Sequence, residues 1–276
     1  IRNANVQVNY VGILVEYADN PTIENINGVG GGIYVYGSGN ATVKNVNVHD
    51  ASTGINFTTS QGGLLTDSTV SGTYSGISIG RYDQGHTVSR NTISNSRYGI
   101  RLYDASDITV SNNTISNSER SSIHLSNSAS NIVSDNTVDG GEDGAIVLYQ
   151  SAGSSVTGNT VTNDSDGEGI LVYEDSHDTT LRANEFVNAP VVFDGYVENC
   201  TVDNNTVRGS AVSVEWAQNF TVTNNTLENS SLLLDHVYYS TVTDNTQWNT
   251  SWGEGHGIHV FGYSHHIGFE RNTASD

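Results

Sequence analysis

The chain has 276 residues and a formal net charge of -20, from 30 acidic and 10 basic side chains, with one cysteine and 35% apolar residues. That charge excludes the basic-patch mode of nucleic-acid binding, and a lone cysteine excludes an internal disulfide or a cysteine-based zinc site. No apolar run approaches the roughly 18 residues of a membrane span.

Taken in chain order, one unit recurs every 21 to 24 residues or so, opened by Ile13, Ile33, Ile55, Ile77, Ile100, Ile123, Ile146, Ile170, Val191, Val212, Leu232 and Ile258. Within a unit, apolar and polar residues alternate in runs of about three to five, the period of a strand with one buried face. Glycine, serine, asparagine and aspartate separate the runs, and Pro21 and Pro190 fall at turn positions. The expected fold is therefore all-β: a parallel β-solenoid of about twelve coils. Length alone suggests two domains, but an unbroken repeat predicts one, residues 1–276. The alternation already running at Val6 and Val8, and the completed corner at Asn272, suggest a piece of a longer chain with flanking domains.

A fixed period stacks equivalent residues about 4.8 Å apart, so each column is a physical ladder. Asn91, Asn113, Asn136, Asn159, Asn184, Asn205, Asn225, Asn245 and Asn272 share one column and are expected to form a structural asparagine ladder that satisfies corner backbone groups. Ile108, Cys200 and Phe220 fall in one inward column, which makes Cys200 a small buried apolar residue.

Chemistry is sought in outward columns. The position three residues after each opening residue reads Glu16, Tyr36, Thr58, Gly80, Tyr103, Ser126, Tyr149, Tyr173, Asp194, Glu215, Asp235, Phe261, and the neighbouring column holds Arg101 and His124. Tyr103, Tyr149 and Tyr173, with Arg101, His124, Asp194 and Glu215, are the candidate saccharide-binding residues, since aromatic faces beside carboxylates stack on and hydrogen-bond to sugars. Asp194, Glu215 and Asp235, with His124 and Arg101, are the catalytic candidates. Stacked carboxylates disfavour joint ionisation, so one holds a proton or a cation such as calcium or sodium bridges them; a solvated acidic face is the alternative. Asp235, His236 and His259 are weak metal-ligand candidates with no chelating spacing, in a histidine-rich stretch otherwise read as surface.

Lys44 is the only lysine. A lysine-poor acidic surface suits molar salt, where screening removes self-repulsion, and points to a halophile, an archaeon among the candidates. Among the sequons, Asn40, Asn163 and Asn249 lie in irregular turns and are the candidate glycosylation sites of an extracellular protein.

The pattern G-I-x-L-x-x-S-x-x-x-x-V-x-x-N-x-I-x-N, clearest from Gly99 to Asn117 and from Ile146 to Asn163, resembles the repeats of NosD-like and carbohydrate-binding/sugar-hydrolase (CASH) families. The resemblance implies a right-handed β-helix of three short parallel sheets, common on secreted or surface proteins that handle polysaccharide, and for NosD itself a role in copper-site maturation. Tyr173-Glu174-Asp175-Ser176-His177 shares a tyrosine and D-x-H with mannuronan C5-epimerases, and Gly255-His256-Gly257 matches the G-H-G of polygalacturonases. Both lack the remaining motif residues, and repeat variants account for them. The expectation is an extracellular or cell-surface module that binds polysaccharide or cell-surface glycan, or serves as a structural element. A lyase, C5-epimerase or glycoside hydrolase acting on uronate polymer and an adhesion or virion fibre are the rivals.

Overall fold

A computed structural model of the protein describes residues 1–5, 12–162, 167–248 and 257–275, which form short strands joined by turns, with no helix among them. Each coil gives one strand to a first face, a sheet of twelve parallel strands running from Ile13–Glu16 to Ile258–Phe261. From Leu64–Thr66 and Thr69–Ser71 onward, each coil adds a three-residue strand to a second face and another to a third, ending at Gly268–Glu270 and Thr273–Ser275. The predicted β-solenoid is therefore present. Alternation does the sorting: Ile100, Leu102, Val110 and Ile115 are buried to 1% exposure or less, while Arg101 and Tyr103 between and beside them point outward.

The asparagine ladder holds the corner between the second and third faces. Asn113 Oδ1 accepts both the backbone N–H and the side-chain amide of Asn91 at 3.0 Å, and Asn113 Nδ2 donates to the Val88 carbonyl at 2.9 Å. The same bonds repeat from coil to coil as far as Asn272. Just before the ladder residue, Asn112, Asn204 and Asn224 adopt left-handed φ of 55°, 55° and 57°. The N-N-T corner thus divides its labour, the first asparagine turning the chain and the second entering the ladder.

Upstream of Asn91 the column reads Ile26, Val46 and Ser68, with Ile26 paired to Val46 and the Val46 N–H donated to Ser68 Oγ. The residues before these two apolar ones, Asn25 and Asn45, keep the left-handed φ of the later corners, 55° and 50°, so the chain bends there as well. Thr22–Val29 and Thr42–His49 nevertheless continue through both faces as single strands, and Thr42–His49 pairs with Leu64–Thr66 and with Thr69–Ser71. This joins the second and third faces into one 23-stranded sheet.

A second, serine-based ladder closes the corner after the first face. Ser38, Ser128 and Ser151 donate their backbone N–H groups to Ser60, Ser151 and Ser176 Oγ in the next coil. Cys200 is fully buried, as its column predicts, and burial pushes its thiol up to about 12.

Candidate functional site

The first face carries the outward strip in the expected register. Tyr103 pairs with Ser126, Ser126 with Tyr149, Tyr149 with Tyr173, and Tyr173 with Asp194. The Tyr149 and Tyr173 rings lie 4.9 Å apart at 39°, forming a two-ring platform, and burial raises the Tyr173 hydroxyl pKa. Arg101 pairs with His124 in the adjacent column.

Around these two residues the structure assembles a larger group than their columns alone reveal. The Arg101 guanidinium lies over two rings, 5.3 Å from the centroid of Tyr98 and 5.6 Å from that of Tyr103. Tyr98 meets the His124 ring at 5.6 Å and the Tyr74 ring at 5.8 Å, and Arg97 caps Tyr74 at 5.1 Å. Arg120 is paired with Asp143 at 2.5 Å. Arg97, Arg120 and Asp143 sit at the corner entering the face and Tyr98 is the first residue of its strand, so none of them falls in the two outward columns that follow the opening residue. The available signal was clustering: Arg81, Arg90, Arg97, Arg101 and Arg120 are half of the 10 basic residues.

The electrostatics of this group are unusual for so acidic a chain. Arg90, Arg120, Arg182, Arg208 and Arg271 each pair with carboxylates, whereas Arg97 and Arg101 have no such partner among the described residues. Arg97 Nε, Arg101 Nε, His124 Nδ1 and Ser121 Oγ are buried without a hydrogen-bond partner, in a fold that otherwise satisfies nearly all its buried polar groups. Burial, reinforced by the Arg101 cation, pushes His124 down to about 4, so its imidazole is neutral at pH 7. Beside it Val147, in an outward column, is only 1% exposed.

The carboxylates lie further along the same strip. Glu215 pairs in register with Asp235, the Ser213 hydroxyl donates to Glu215 at 3.1 Å, and Asp235 Oδ1 meets His236 Nδ1 at 2.7 Å. His259 pairs with Leu233, in a different column from His236. No group of three or more histidine, cysteine, aspartate or glutamate side chains suited to a metal ion occurs among the described residues. At the neighbouring corner, the rings of Tyr196, Trp216, His236 and Tyr263 meet over successive coils, with Trp216 and His236 stacked 3.9 Å apart. Column reading had not picked out this ridge.

The Tyr173–His177 turn proves to be scaffold, since Ser176 is a buried ladder serine that donates to the Tyr173 carbonyl. Asn40 is exposed with φ 50°, whereas Asn163, Asn249 and His256 lie outside the described residues.

Comparison with known proteins follows the fold. No protein of curated function matches the sequence. Among solved structures, a tailspike protein of E. coli bacteriophage HK620 in complex with a pentasaccharide aligns with TM-score 0.68 and 14% identity, over 93% of this chain and 57% of that one. The catalytic unit of an alpha-1,3-glucanase from Streptomyces thermodiastaticus aligns with TM-score 0.63 and 14% identity, over 94% of this chain and 64% of that one. A surface adhesin of Streptococcus pneumoniae aligns with TM-score 0.61 and 11% identity, over 95% and 83%. The chain thus spans less than two thirds of the first two structures, and at such identity the likeness is one of fold. The sequence itself matches the family described as right handed beta helix region over residues 31–186, so the chain belongs to the right-handed β-helix family.

Proposed function

We propose that the first face is a glycan-binding surface of an extracellular or cell-surface protein, and that an acidic sugar of the polymer sits at the Arg97, Arg101 and His124 group. One observation carries this reading. In a chain with three times as many acids as bases, two arginines, Arg97 and Arg101, are held over tyrosine rings with no carboxylate partner among the described residues. Unpaired guanidinium groups are suited to bidentate capture of a carboxylate, and the Tyr149 and Tyr173 platform offers sugar rings a stacking surface. That the fold neighbours include a pentasaccharide-bound tailspike, a glucanase and a surface adhesin supports the class of ligand and the location. The test is a glycan array in molar salt with wild type and the Tyr149→Ala/Tyr173→Ala double variant. Loss of binding with unchanged circular dichroism is expected, and equal binding by both proteins refutes the reading.

A second reading, a lyase or epimerase acting on uronate polymer, is favoured by the neutral His124 in register with Arg101. A neutral imidazole accepts a proton, and arginine stabilises the charge that develops on the uronate carboxylate. His124→Gln should then abolish unsaturated or epimerised product while weakening binding far less, since Arg97, Arg101 and the tyrosine platform remain. The Asp194→Asn/Glu215→Gln pair separately tests the carboxylates: lost turnover with retained binding assigns them to chemistry, and loss of both assigns them to a bridging cation.

A further inference from the structure

The corner after the first face holds a feature that the glycan reading does not use. Most coils place the ladder residue of this corner five positions after the opening residue, as Ser38, Ser60, Ser128 and Ser151 do, but Asp83 stands six after Ile77. The extra residue makes Arg81 and Tyr82 consecutive left-handed residues with φ of 62° and 72°. Such a conformation is costly for bulky side chains. It is nevertheless firmly fixed, since the Arg81 and Tyr82 N–H groups donate to the Tyr103 and Asp104 carbonyls of the next coil. Asp83 completes the clamp: fully buried, it accepts the Gly80 N–H at 3.0 Å and the Ser60 N–H at 2.5 Å.

The product of this arrangement is a tyrosine that projects into solvent, 82% exposed, with an exposed arginine beside it that has no ion pair among the described residues. Tyr82 borders a depression of about 250 Å³ whose walls include Gln84, Asp104, Ser106 and Asn127. That volume falls below the roughly 300–1,000 Å³ of sites for drug-sized ligands. The depression adjoins the candidate site, because the Tyr103 ring that Arg101 covers rests against Gly80. Tyr196 and Tyr263, 72% and 81% exposed, project from six-residue corners of the same kind after Val191 and Ile258.

We propose that Tyr82 and the depression beside it form a subsite for one monosaccharide ring, a side branch or terminal sugar of the glycan bound on the first face, and that Asp83 is its positioning residue. The sugar stacks on the Tyr82 ring, the polar walls hydrogen-bond its hydroxyls, and the buried carboxylate keeps the left-handed pair in place. The inference rests on the glycan reading of the first face.

The test measures affinity for an array-identified branched oligosaccharide and its unbranched core by calorimetry, in molar salt, with the full chain. Tyr82→Ala should weaken the branched ligand about three- to tenfold, the range of an exposed stacking contact, and leave the core unchanged. Asp83→Ser should keep its fold, because Ser176 and Ser264 close six-residue corners by donating to the Tyr173 and Phe261 carbonyls. It should weaken the branched ligand similarly, and have no further effect in the Tyr82→Ala background. Wild-type affinity of Tyr82→Ala for the branched ligand overturns the subsite while leaving the glycan reading in place. An Asp83→Ser effect that persists without Tyr82 overturns the positioning role. A wild-type protein that binds no glycan overturns both the first-face reading and the subsite.

Discussion

Replacing Asn136 with alanine tests how much of the fold depends on the asparagine ladder. Asn136 is 1% exposed; its Oδ1 accepts the Asn113 N–H at 2.9 Å and the Asn113 side-chain amide at 3.0 Å. Its Nδ2 donates to the Val110 carbonyl at 2.9 Å and to Asn159 Oδ1 at 3.0 Å. Alanine leaves the Asn113 N–H buried without an acceptor, takes one of two acceptors from the Asn113 side-chain amide and one donor each from Val110 and Asn159, whereas the backbone N–H of residue 136 keeps its own bond to Asn159. A stranded buried donor costs about 1–3 kcal/mol and each of the three other lost bonds about 0.5–1.5 kcal/mol, for a total of about 2.5–7.5 kcal/mol. At about 2–4 °C per kcal/mol for a chain of this size, the midpoint should fall by at least about 5 °C. The control is Ser126→Ala, which trims a half-buried outward hydroxyl and should shift stability by less than about 0.5 kcal/mol. Thermal unfolding by circular dichroism reads both, and hydrogen exchange at the Asn113 amide localises the effect. Equal midpoints for the two variants would refute the ladder's structural role.

Three further outcomes are expected. Because the net charge is -20, the unfolding midpoint should rise between dilute and molar sodium chloride, and a midpoint independent of salt removes the argument for adaptation to brine. Acidification from pH 6.5 towards 4 should destabilise the fold, because the unfolded chain protonates His86 and His124, which burial pushes down to about 4 in the folded state. Asp83, pushed up to about 7 by burial, opposes this by holding a proton that the unfolded chain has released, so Asp83→Asn should steepen the acid loss; a shallower urea-midpoint slope contradicts the assignment. Cys200 should resist thiol reagents at pH 8 until the protein unfolds, and rapid labelling of the native chain would show that the core at this coil opens readily.

The fold was legible in the sequence because each of its determinants repeats. The column of Asn91 to Asn272 reports a backbone need that recurs at every coil, and a repeated need leaves a repeated residue. The unbroken strands Thr22–Val29 and Thr42–His49 were less visible, since an apolar Ile26 or Val46 in the ladder column looks like ordinary core. The candidate site was half legible for the same reason. Arg101, His124, Tyr149 and Tyr173 lie on strand columns and could be aligned, whereas Arg97, Arg120 and Asp143 lie at a corner whose length varies. The single-residue insertion at Arg81 and Tyr82 was hidden because a register change of one disappears within a period that already varies from coil to coil.

The asparagine ladder also bears on how such a chain can change over generations. Each rung makes the same bonds to the rung before and the rung after, so the junction between any two coils from Asn91 onward is chemically interchangeable with the next. Duplicating or deleting a whole coil would recreate the same junction, with no new interface to invent. Meanwhile the outward columns of the first face carry almost none of that bonding, leaving tyrosine, arginine, serine and aspartate free to exchange rung by rung. Coil number and surface chemistry can therefore be inherited as two separate variables, one set by recombination and the other by point substitution.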